Sequence, residues 1–583
     1  MDILKICLFF FVSFIGLLSV SCFNLTILHT NDFHAHFEQI NKYSSDCTEE
    51  QAQKGECFGG IAREATKIKE IRDTHQNVIL LDAGDRFTGT LWFFKYRGFA
   101  SAYFMKKLQY DAMCIGNHEF DLQVPGLVNF LKNITIPVVS ANIDVSGEPR
   151  LQGLFNKSII LNVNGTKIGI VGYITEETSS ISDAGPTVKF VDQISIVQTE
   201  VQNLQAAGIT IIIGLSHAGY GIDQKVAREV DGLDVIVGGH THSFLYSGPQ
   251  PSNEEIEGPY PTIVNTNNGR KVLVVTAYAW SKYLGYLNVL FDDKGEVSSW
   301  NGNPILLDKT VPQDNETLAE VKELQKPLEA QKREVVGHTA VLLEGETYWC
   351  RIRECNLGNL YTDAMISYHL DYLKANDTWA AASIALVQSG GIRASIEPGN
   401  ITMGNVLTVF PFGNNIDLIK IRGIHLRQML EHAVENYDPI NRPGSFLQMS
   451  GIHVTYDLGS PKGQRVVSVE VRCHACKAPT YSLLDDNTVY NVLLPNFVIN
   501  GGDGFTIIKE TMIQHIPLNS LDIDLISKYL SLSKSVFPSN EGRIKFVTRK
   551  QTSDANQVQL SVLICQILLF MYYYLATTLN FVL

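Results

Sequence analysis

The stretch VILLDAGD, residues 78–85, decides the fold because a short apolar run ends abruptly in Asp-Ala-Gly-Asp. Four further apolar runs end in Asp, His or Asn in the same way: LTILHTNDFH at 25–34, MCIGNHE at 113–119, IIIGLSH at 211–217 and VIVGGHTH at 235–242. Apolar runs of this length, rich in β-branched residues, are typical of buried parallel strands. Ligands in an open α/β sheet gather beyond the carboxyl ends of its strands, so the sequence predicts that these polar residues share one site.

Segments with helical periodicity separate the five runs, at about residues 61–74, 101–108, 193–207 and 222–230. Strand alternating with helix predicts an α/β domain whose parallel sheet is covered on both faces, over residues 23–312. Residues 313–336 are charged and helix-prone, although Pro327 interrupts them, and are interpreted as a linker. A second domain of mixed strands and helices, of the α+β class, is predicted over residues 337–549.

The composition excludes some classes of protein. A chain of 583 residues accommodates two large domains with terminal segments, and 45% hydrophobic and 18% charged residues are ordinary for a globular protein. The net charge of −13 and the lack of any Lys/Arg cluster in the sequence argue against nucleic acid as a partner.

The amino-terminal 22 residues have the pattern of a secretory signal peptide. One lysine precedes an apolar stretch over residues 6–20, and small residues place the cleavage near Ser21 or Cys22. An amino-terminal membrane anchor is the alternative, which the short apolar run and the strand that follows at once disfavour. Seven Asn-X-Ser/Thr sequons permit glycosylation in the secretory pathway, at Asn24, Asn133, Asn156, Asn164, Asn315, Asn376 and Asn400.

The carboxyl-terminal residues 550–583 have the pattern of a GPI-attachment signal. Residues 558–583 are apolar and uncharged, small residues precede them, and nothing basic follows. We therefore expect attachment near Ser553, removal of the propeptide, and a protein held on the extracellular face of the plasma membrane, with a secreted form as a further possibility. A transmembrane tail is the alternative, although such a helix is usually followed by Lys or Arg.

The cysteines suit an oxidising compartment. Six of them form close pairs in the sequence, namely Cys47 with Cys57, Cys350 with Cys355, and Cys473 with Cys476, and are interpreted as disulfides. The last pair could also be a redox or zinc element, but no second pair has zinc-ribbon spacing. Cys114 remains in an apolar run and is predicted to be a buried free thiol.

The five strand ends together predict a site for two divalent metal ions. Two ions a few ångströms apart must share a ligand, and a carboxylate suits this because each of its oxygens can take one ion. Asp85 is the candidate bridge, and Gly84 before it lets the loop turn tightly after the strand. Asp32 and His34, two apart on an extended segment, are assigned to the first ion. Asn117, His217 and His240 are assigned to the second ion. This mixed set of nitrogen and oxygen ligands favours zinc, with manganese as a possible substitute.

Structural alternatives exist for each residue taken singly: Asp32 could cap a helix, Asn117 could form a turn, and His217 could be a core histidine. These alternatives are favoured for any one residue alone, but the five runs taken together favour metal binding. Asp82 lies on the strand before Gly84 and is predicted to be structural. Such a site generates hydroxide at neutral pH and leaves an alkoxide to protonate, for which His118 is placed, with Asp121 to orient it.

Motifs in both halves of the chain resemble one known family. They are LTILHTNDFHAH (25–36), LLDAGDRFTGTLWF (80–93), YDAMCIGNHEFD (110–121), LSHAGYGID (215–223) and VIVGGHTHSFLY (235–246), then RIRECNLGNLYTDAM (351–365), SGGIR (389–393), VFPFGNNI (409–416) and LLPNFVINGGDGF (493–505). Over residues 23–546 the chain is similar to the 5'-nucleotidase family, and it is most similar to the animal extracellular members. The resemblance implies a calcineurin-like metallophosphoesterase α/β sandwich, a carboxyl-terminal nucleotide-binding domain, hydrolysis of AMP to adenosine and phosphate, and a homodimer formed through the carboxyl-terminal domain.

The resemblance also implies the substrate contacts. Arg351 and Arg393 would bind the phosphate, Phe412 and Phe497 would stack on the base, and Asp503 would bind the ribose hydroxyls. Forked arginines suit phosphate, and aromatic faces suit a purine. Core packing is the alternative for the two phenylalanines, although the glycine-rich loop at 500–504 argues that Phe497 is exposed beside a ligand.

Two positions depart from the family pattern. Gln388 and Ser389 replace the usual Asn and Gly of a three-glycine loop, which leaves one substrate contact and the preference among mono-, di- and triphosphates open. His242, at a position that varies in the family, could ligate the first metal. An apyrase acting on ATP and ADP is therefore the alternative enzyme. An inactive surface receptor is a remoter alternative, because every expected metal ligand is present.

Overall fold

The computed structural model describes residues 22–370 and 378–547. The first half contains β1 (Phe23–Thr30), β2 (Val78–Asp82), β3 (Ala112–Cys114), β4 (Val138–Val139), β5 (Ile143–Asp144), β6 (Ser158–Val163), β7 (Thr166–Ile174), β8 (Lys189–Phe190), β9 (Ile211–His217), β10 (Val235–Val237), β11 (Thr262–Asn265), β12 (Lys271–Val275), β13 (Tyr283–Phe291), β14 (Val297–Gly302) and β15 (Ile305–Leu306). Its helices are α1 (Glu49–Lys54), α2 (Ile61–Thr74), α3 (Leu91–Tyr96), α4 (Phe99–Lys107), α5 (Gln123–Asn133), α6 (Thr178–Ile181), α7 (Gln193–Ala206) and α8 (Tyr220–Glu229), with a 3₁₀ turn at Asn117–Phe120.

The five predicted strands are present, but they belong to two sheets rather than one. The first sheet has the order β14-β13-β1-β2-β3-β4, with β15 paired to β13, and the second has the order β11-β12-β10-β9-β7-β6. Strands β1 to β4 run parallel, as do β7, β9, β10 and β12. The alternation of strands and helices alone predicted one parallel sheet, and this was wrong because an apolar run indicates a buried strand without indicating which neighbour it pairs with. The α/β sandwich that the family resemblance implied is confirmed.

The two sheets pack face to face. Leu81 of β2 and Ile213 of β9 belong to one buried apolar cluster, whereas Leu80, on the opposite face of β2, packs in a second cluster with Ile68 of α2. Alternating side chains of one strand thus bury both faces, one against the other sheet and one against helices. This α/β sandwich brings the carboxyl ends of strands from both sheets to the same side.

The second half has strands β16 (Val335–Thr339), β17 (Ile384–Gln388), β18 (Gly399–Thr402), β19 (Asn415–Arg422), β20 (Leu447–Ser450), β21 (Ile452–Tyr456), β22 (Val466–Arg472), β23 (Tyr481–Leu483), β24 (Val489–Pro495), β25 (Gln514–Leu521) and β26 (Ile544–Phe546). The linker helices α9 (Asn315–Gln325) and α10 (Glu329–Lys332) precede them, followed by α11 (Thr347–Cys350), α12 (Asn356–Tyr368), α13 (Met403–Val409), α14 (Gly423–Ala433), α15 (Asn496–Ile499), α16 (Thr506–Thr511) and α17 (Asp522–Leu532). A 3₁₀ turn at Lys326–Leu328 divides α9 from α10 at the predicted Pro327 interruption, and two more lie at Ser389–Gly391 and Gly502–Gly504.

Mixed sheets form the core of the second half. One sheet has the order β20-β17-β24-β19-β25, a second has the order β23-β22-β21-β26, and β16 pairs with β18. Disulfides join Cys47 with Cys57, Cys350 with Cys355, and Cys473 with Cys476, while Cys114 is buried and unbonded. Within residues 22–370 and 378–547, no helix is both long and apolar enough to cross a membrane. The expected signal peptide cleavage lies at the edge of the described residues, and the expected anchor segment lies outside them.

Candidate metal centre and substrate cleft

Three overlapping groups of acidic and histidine side chains lie where the strands of the two sheets end. The groups are Asp32, His34 and His242; His34, Asp85 and His118; and Asp85, His217 and His240. Within each group the potential ligand atoms lie within 4.8 Å of one another. The structure thus brings together every acidic and histidine ligand that the sequence predicted. The predicted ligand Asn117 lies beside them, with its amide oxygen 2.9 Å from His240 Nδ1.

The first group is built on a loop after β1 that is not extended, contrary to the expectation. Asp32 and His34 have φ angles of 50° and 47°, in the left-handed region, so the chain turns rather than continuing the strand. His34 Nδ1 donates to the carbonyl of Thr88 at 2.8 Å, which leaves Nε2 facing the site. His242 Nε2 lies 3.3 Å from Asp32 Oδ1 and 3.1 Å from His34 Nε2. His242 therefore joins the predicted ligands of the first ion.

The second group collects side chains from both sheets. His217, at the end of β9, donates from Nδ1 to the carbonyl of Ala83 at 2.6 Å, and its Nε2 lies 3.0 Å from Asp85 Oδ2. His240 Nδ1 and Asn117 Oδ1 are 2.9 Å apart. Backbone bonds thus orient the ring of His217, as second partners commonly do for metal-binding histidines.

Asp85 lies between the two predicted ligand sets, because its Oδ2 is 3.8 Å from His34 Nε2 and 3.0 Å from His217 Nε2. Gly84, before it, has a φ of 90°, and a Cβ atom there would lie 2.8 Å from the backbone nitrogen of Gly116. Only glycine fits this turn without displacing the neighbouring strand end. The structure therefore confirms that Gly84 allows a tight turn after the strand.

Glu119 fixes the loop that carries Asp85, and sequence reasoning missed it. Its buried carboxylate accepts the backbone N–H groups of Asp85, Arg86, Phe87 and Gly116 at 2.7–3.1 Å. Four donors to one carboxylate satisfy amides that would otherwise be buried without partners. Its position directly after Asn117 and His118 was the available signal.

Asp82 lies outside the three groups, in keeping with its expected structural role. Its carboxylate lies 2.6 Å from the guanidinium of Arg86 and accepts the hydroxyl of Thr30 at 2.7 Å. Both partners of this ion pair are buried, and Arg86 also packs over the rings of Phe33 and Tyr110.

The chemistry of the three groups fits divalent cations. His217 Nε2 is buried, and the carboxylate oxygen Oδ2 of Asp85 lies 3.0 Å from it. Burial opposes protonation, but Asp85 and Asp32 raise the pKa of His217 to about 10, so these carboxylates favour a positive charge at this position. Imidazole nitrogens combined with carboxylate and amide oxygens form a donor set that zinc accepts.

His118 and Asp121 form a hydrogen-bonded pair beside the metal ligands. His118 Nδ1 lies 2.6 Å from Asp121 Oδ2, and His118 Nε2 lies 3.9 Å from Asp85 Oδ2. Burial opposes it, but Asp121 and Asp85 raise the pKa of His118 above its ordinary value. A histidine held in this way can keep a proton on Nε2 and give it to a leaving group.

A cleft of about 1310 Å³ lies between the two halves of the chain and contains residues predicted for metals and for substrate. Its walls include Asp85, Asn117, His118, Asp121 and His240 from the first half, and Arg351, Gln388, Arg393, Phe412, Phe497 and Asp503 from the second. Asp32, His34, His217 and His242 are buried close to these residues.

Both predicted phosphate-binding arginines lie in this cleft. Arg393 Nη2 lies 3.0 Å from His34 Nε2, so a guanidinium of the second half touches a metal-ligand candidate of the first. Arg351 Nη1 donates to the carbonyl of Arg442 at 3.1 Å, while its buried Nε has no hydrogen-bond partner among the residues that the structure describes. Burial and the charge of Arg393 lower the pKa of Arg351 to about 9. These are the electrostatics of a site that accepts an anion.

The other predicted substrate residues lie farther along the cleft. Phe412 is half-buried, and its ring stacks on His118 with centroids 5.6 Å apart. Phe497 is half-buried too and packs against the turn at Gly502–Gly504 that carries Asp503. The side-chain oxygen of Gln388 is buried and has no hydrogen-bond partner in the described part of the chain. Neither phenylalanine is fully buried in the core, which argues against the alternative of simple core packing.

Direct contacts join the two halves around the cleft, and sequence reasoning did not identify them. Arg442 Nη1 lies 2.8 Å from Glu257 Oε1, and both side chains are buried. Glu257 Oε2 accepts the hydroxyl of Ser243, next to His242. Nothing in the sequence pairs two residues so far apart, because each is an ordinary surface type in isolation.

The chain matches two protein families. Residues 25–244 match the calcineurin-like phosphoesterase family, and residues 335–510 match the 5'-nucleotidase carboxyl-terminal domain. Among curated relatives, it is 44% identical to a snake venom 5'-nucleotidase of Naja atra over 90% of this chain and 99% of that one. It is 43% identical to a 5'-nucleotidase of Homo sapiens over 91% of this chain and 92% of that one. A solved 5'-nucleotidase precursor from Thermus thermophilus superposes with a TM-score of 0.84 at 41% identity, over 90% of this chain and 99% of that one.

Proposed function

The chain belongs to the 5'-nucleotidase family, and we propose that it hydrolyses nucleoside 5'-monophosphates, with AMP as the preferred substrate. Membership makes it a metal-dependent phosphoric monoester hydrolase that acts on nucleotides. The single observation that carries the proposal is the contact between Arg393 and His34. It supports a substrate whose phosphate meets the metal ligands while its nucleoside extends along the second half.

Two divalent ions, preferably zinc, would be held by the predicted ligands. The proposed first set is Asp32, His34 and His242, the second is Asn117, His217 and His240, and Asp85 would serve both. When bound, ions at such a site supply Lewis acidity and make a water nucleophilic at neutral pH.

The chain's own residues would orient the substrate and move a proton. Arg351 and Arg393 would bind the phosphoryl oxygens as charged forks. His118 would give its Nε2 proton to the ribose O5' as the phosphorus–oxygen bond breaks, and Asp121 would hold Nδ1 throughout.

The nucleoside contacts would come from the second half. Phe412 and Phe497 would stack on the base, and Asp503 would accept hydrogen bonds from the ribose hydroxyls. The unpartnered side-chain oxygen of Gln388 would accept a hydrogen bond from the substrate at the position where the family usually has Asn.

Phosphate release by purified protein tests the proposal. The protein would be stripped with a chelator, reloaded with zinc or with manganese, and assayed on AMP, ADP and ATP at matched concentrations. We expect release from AMP to exceed release from ADP and ATP, with activity lost on stripping and restored by metal. Faster release from ATP and ADP would instead identify an apyrase, and no release from any of the three would identify an inert binding protein.

We also propose that the protein acts on the extracellular face of the plasma membrane through a GPI anchor near Ser553. The apolar composition of residues 558–583 and the disulfides support this location. Phosphatidylinositol-specific phospholipase C should release the protein from intact cells. Retention on the membrane, with peptides from residues 558–583 in the mature protein, would identify a spanning tail instead.

The proposed domain division is 23–312, 313–336 and 337–549, with a homodimer formed through the last domain. Exposed apolar side chains on that domain support the dimer, among them Ile424, Leu483 and Val489. The backbone nitrogen of Ile424 donates to the carbonyl of Asp486, which is three residues from Leu483 and from Val489 in the sequence. Leu483→Asp should convert a dimer to a monomer in analytical ultracentrifugation.

A further inference from the structure

The carboxylate of Asp121, which pairs with His118, receives hydrogen bonds on both of its oxygens. Oδ2 accepts the hydroxyl of Thr88 at 2.6 Å in addition to the bond from His118 Nδ1. Oδ1 accepts the hydroxyl of Ser182 at 2.9 Å. Within residues 22–370 and 378–547, Ser182 makes the only hydrogen bond to Oδ1.

The two hydroxyls come from different parts of the first domain. Thr88 lies in the loop after β2, and its carbonyl accepts His34 Nδ1, so the metal-ligand loop fixes it. Ser182 lies directly after α6, in a segment over residues 175–188 that lines the cleft, and its side chain is half-buried. Thr88 therefore links Asp121 to the metal-ligand loop, whereas Ser182 links Asp121 to the wall of the cleft.

That wall touches the second domain where the ribose would bind. Helix α6 packs against the turn at Gly502–Gly504, which holds Asp503. Glu177, one residue before α6, lies near enough to raise the pKa of Asp503, although burial is the larger cause. The backbone that carries Ser182 is thus in contact with the turn that would hold the nucleoside.

We propose that Ser182 is a positioning residue for proton transfer to the leaving group. This inference rests on the function proposed above. A carboxylate held through one oxygen can rotate about its Cβ–Cγ bond, and a donor on the other oxygen removes that freedom. Ser182 would thereby fix the plane of Asp121, and Asp121 would fix the imidazole of His118 with Nε2 toward the ribose O5'.

The proton transfer itself balances without a further reagent. Water adds its oxygen to phosphorus and releases a proton to solvent, and the phosphorus–oxygen bond to ribose breaks with its electron pair on O5'; solvent returns a proton to His118 Nε2 after the products leave. His118 Nε2 gives its proton to O5' and becomes neutral, while its Nδ1 proton stays bonded to Asp121. Ser182 gains and loses nothing in this sequence, which is why its effect must appear through the orientation of His118.

The test measures how Ser182→Ala hydrolyses two substrates with different leaving groups, AMP and p-nitrophenyl phosphate. The ribose alkoxide of AMP needs a proton, whereas p-nitrophenolate leaves as a stabilised anion. We expect kcat on AMP to fall about tenfold, a part of what general acid catalysis contributes, with KM nearly unchanged. The kcat on p-nitrophenyl phosphate should change by less than about twofold, because that reaction depends little on the proton donor. Ser182→Thr keeps the hydroxyl on an extended backbone and should restore the rate on AMP.

Ser158→Ala is the matched control. Ser158 also donates a half-buried hydroxyl to a carboxylate, that of Glu200 at 3.1 Å, but on the edge strand β6, away from the cleft. It should leave both rates unchanged, and thermal unfolding of all variants without metal would report any general loss of structure.

Several results would overturn the inference. Equal losses on both substrates would mean that Ser182 supports the cleft wall rather than the proton donor. An unchanged rate on AMP, or a failure of Ser182→Thr to restore it, would also exclude the positioning role. A wild-type protein inactive on AMP would instead overturn the proposed function.

Discussion

At the level of single residues, one short motif separates two roles for the same side chain. Asp82 and Asp85 are three positions apart, yet Asp82 lies against the buried guanidinium of Arg86, and Asp85 lies 3.0 Å from His217 Nε2. The difference follows from the turn at Gly84, which ends the strand and redirects the chain. Asp82 therefore belongs to the core, and Asp85 to the site.

Substitution of each aspartate should separate the two roles. We expect Asp85→Ala to abolish phosphate release and to lower the metal content at both sites, because the proposed bridging carboxylate would serve both ions. Asp82→Asn should keep its metals but lose about 3–5 kcal/mol of stability, because it leaves a buried guanidinium without its counter-charge. Metal analysis by mass spectrometry and thermal unfolding would measure the two effects. Full metal content in Asp85→Ala would exclude Asp85 as the shared ligand.

The sequence predicted the ligand residues better than it predicted their supports. Asp32, Asp85 and His217 could be found because each follows an apolar run, and that pattern is local. Glu119 also follows such a run, but its role and that of Ser182 are not local properties, because they depend on hydrogen bonds to backbone or side chains elsewhere. Local pattern thus identifies the ends of strands but not what holds them.

At the level of elements, helix positions followed from periodicity, whereas strand pairing did not. The helices predicted near residues 61–74 and 193–207 are α2 and α7, within one residue at each end. The order of the first sheet depends on the pairing of β1 with β13, which are separated by most of the domain. Periodicity indicates which face of a single element is buried, whereas the order of strands in a sheet depends on pairing between strands far apart in the sequence.

The two aromatic residues of the cleft belong to different elements and should not be equivalent. Phe497 lies in α15 near the turn with Asp503, whereas Phe412 stacks on His118 and has the guanidinium of Arg393 5.8 Å from its ring centre. Phe497 is therefore placed to act on the nucleoside alone. Phe412 is placed to act on the proton donor and the phosphate site as well.

Single substitutions would distinguish the two phenylalanines. Phe497→Ala should raise KM for AMP about tenfold, since stacking on a base contributes roughly 1–3 kcal/mol, and should leave p-nitrophenyl phosphate hydrolysis unchanged. Phe412→Ala should slow both substrates, because its ring supports His118. Steady-state kinetics on the two esters provides the measurement. If Phe497→Ala slowed both equally, its ring would be part of the core rather than a nucleoside contact.

At the level of the whole molecule, the two halves meet through buried charges as well as through the substrate cleft. Arg442 pairs with Glu257, and a second cluster brings Glu346 of the second half near Lys282 and Glu254 of the first. Lys282 and Glu254 form a buried ion pair, and Glu254 also accepts the hydroxyl of Tyr283. Glu346 thus adds a third ionisable group to a pair that is already neutral, so its charge has no counterpart.

The stability of the contact should therefore depend on pH through Glu346. Burial raises the pKa of Glu346 to about 8, and Glu254 adds to the shift while Lys282 opposes it. A carboxyl whose pKa is raised by folding stabilises the folded state only when protonated. Its contribution is full below an ordinary pKa near 4.5 and is lost as the pH rises toward 8.

Replacement of Glu346 by glutamine should remove this dependence, since an amide carries no charge at any pH. We expect the unfolding temperature of the wild type to fall more steeply with rising pH than that of Glu346→Gln, between about pH 5 and pH 9. For a domain of this size, each kcal/mol of difference in unfolding free energy corresponds to roughly 2–4 °C. Glu397→Gln is the matched control, because Glu397 accepts hydrogen bonds from Asn41 and Gln51 across the same two halves and lies in no such cluster. It should lower stability without changing the slope. Parallel pH profiles for wild type and Glu346→Gln would mean that Glu346 is ionised throughout and that another group compensates its charge.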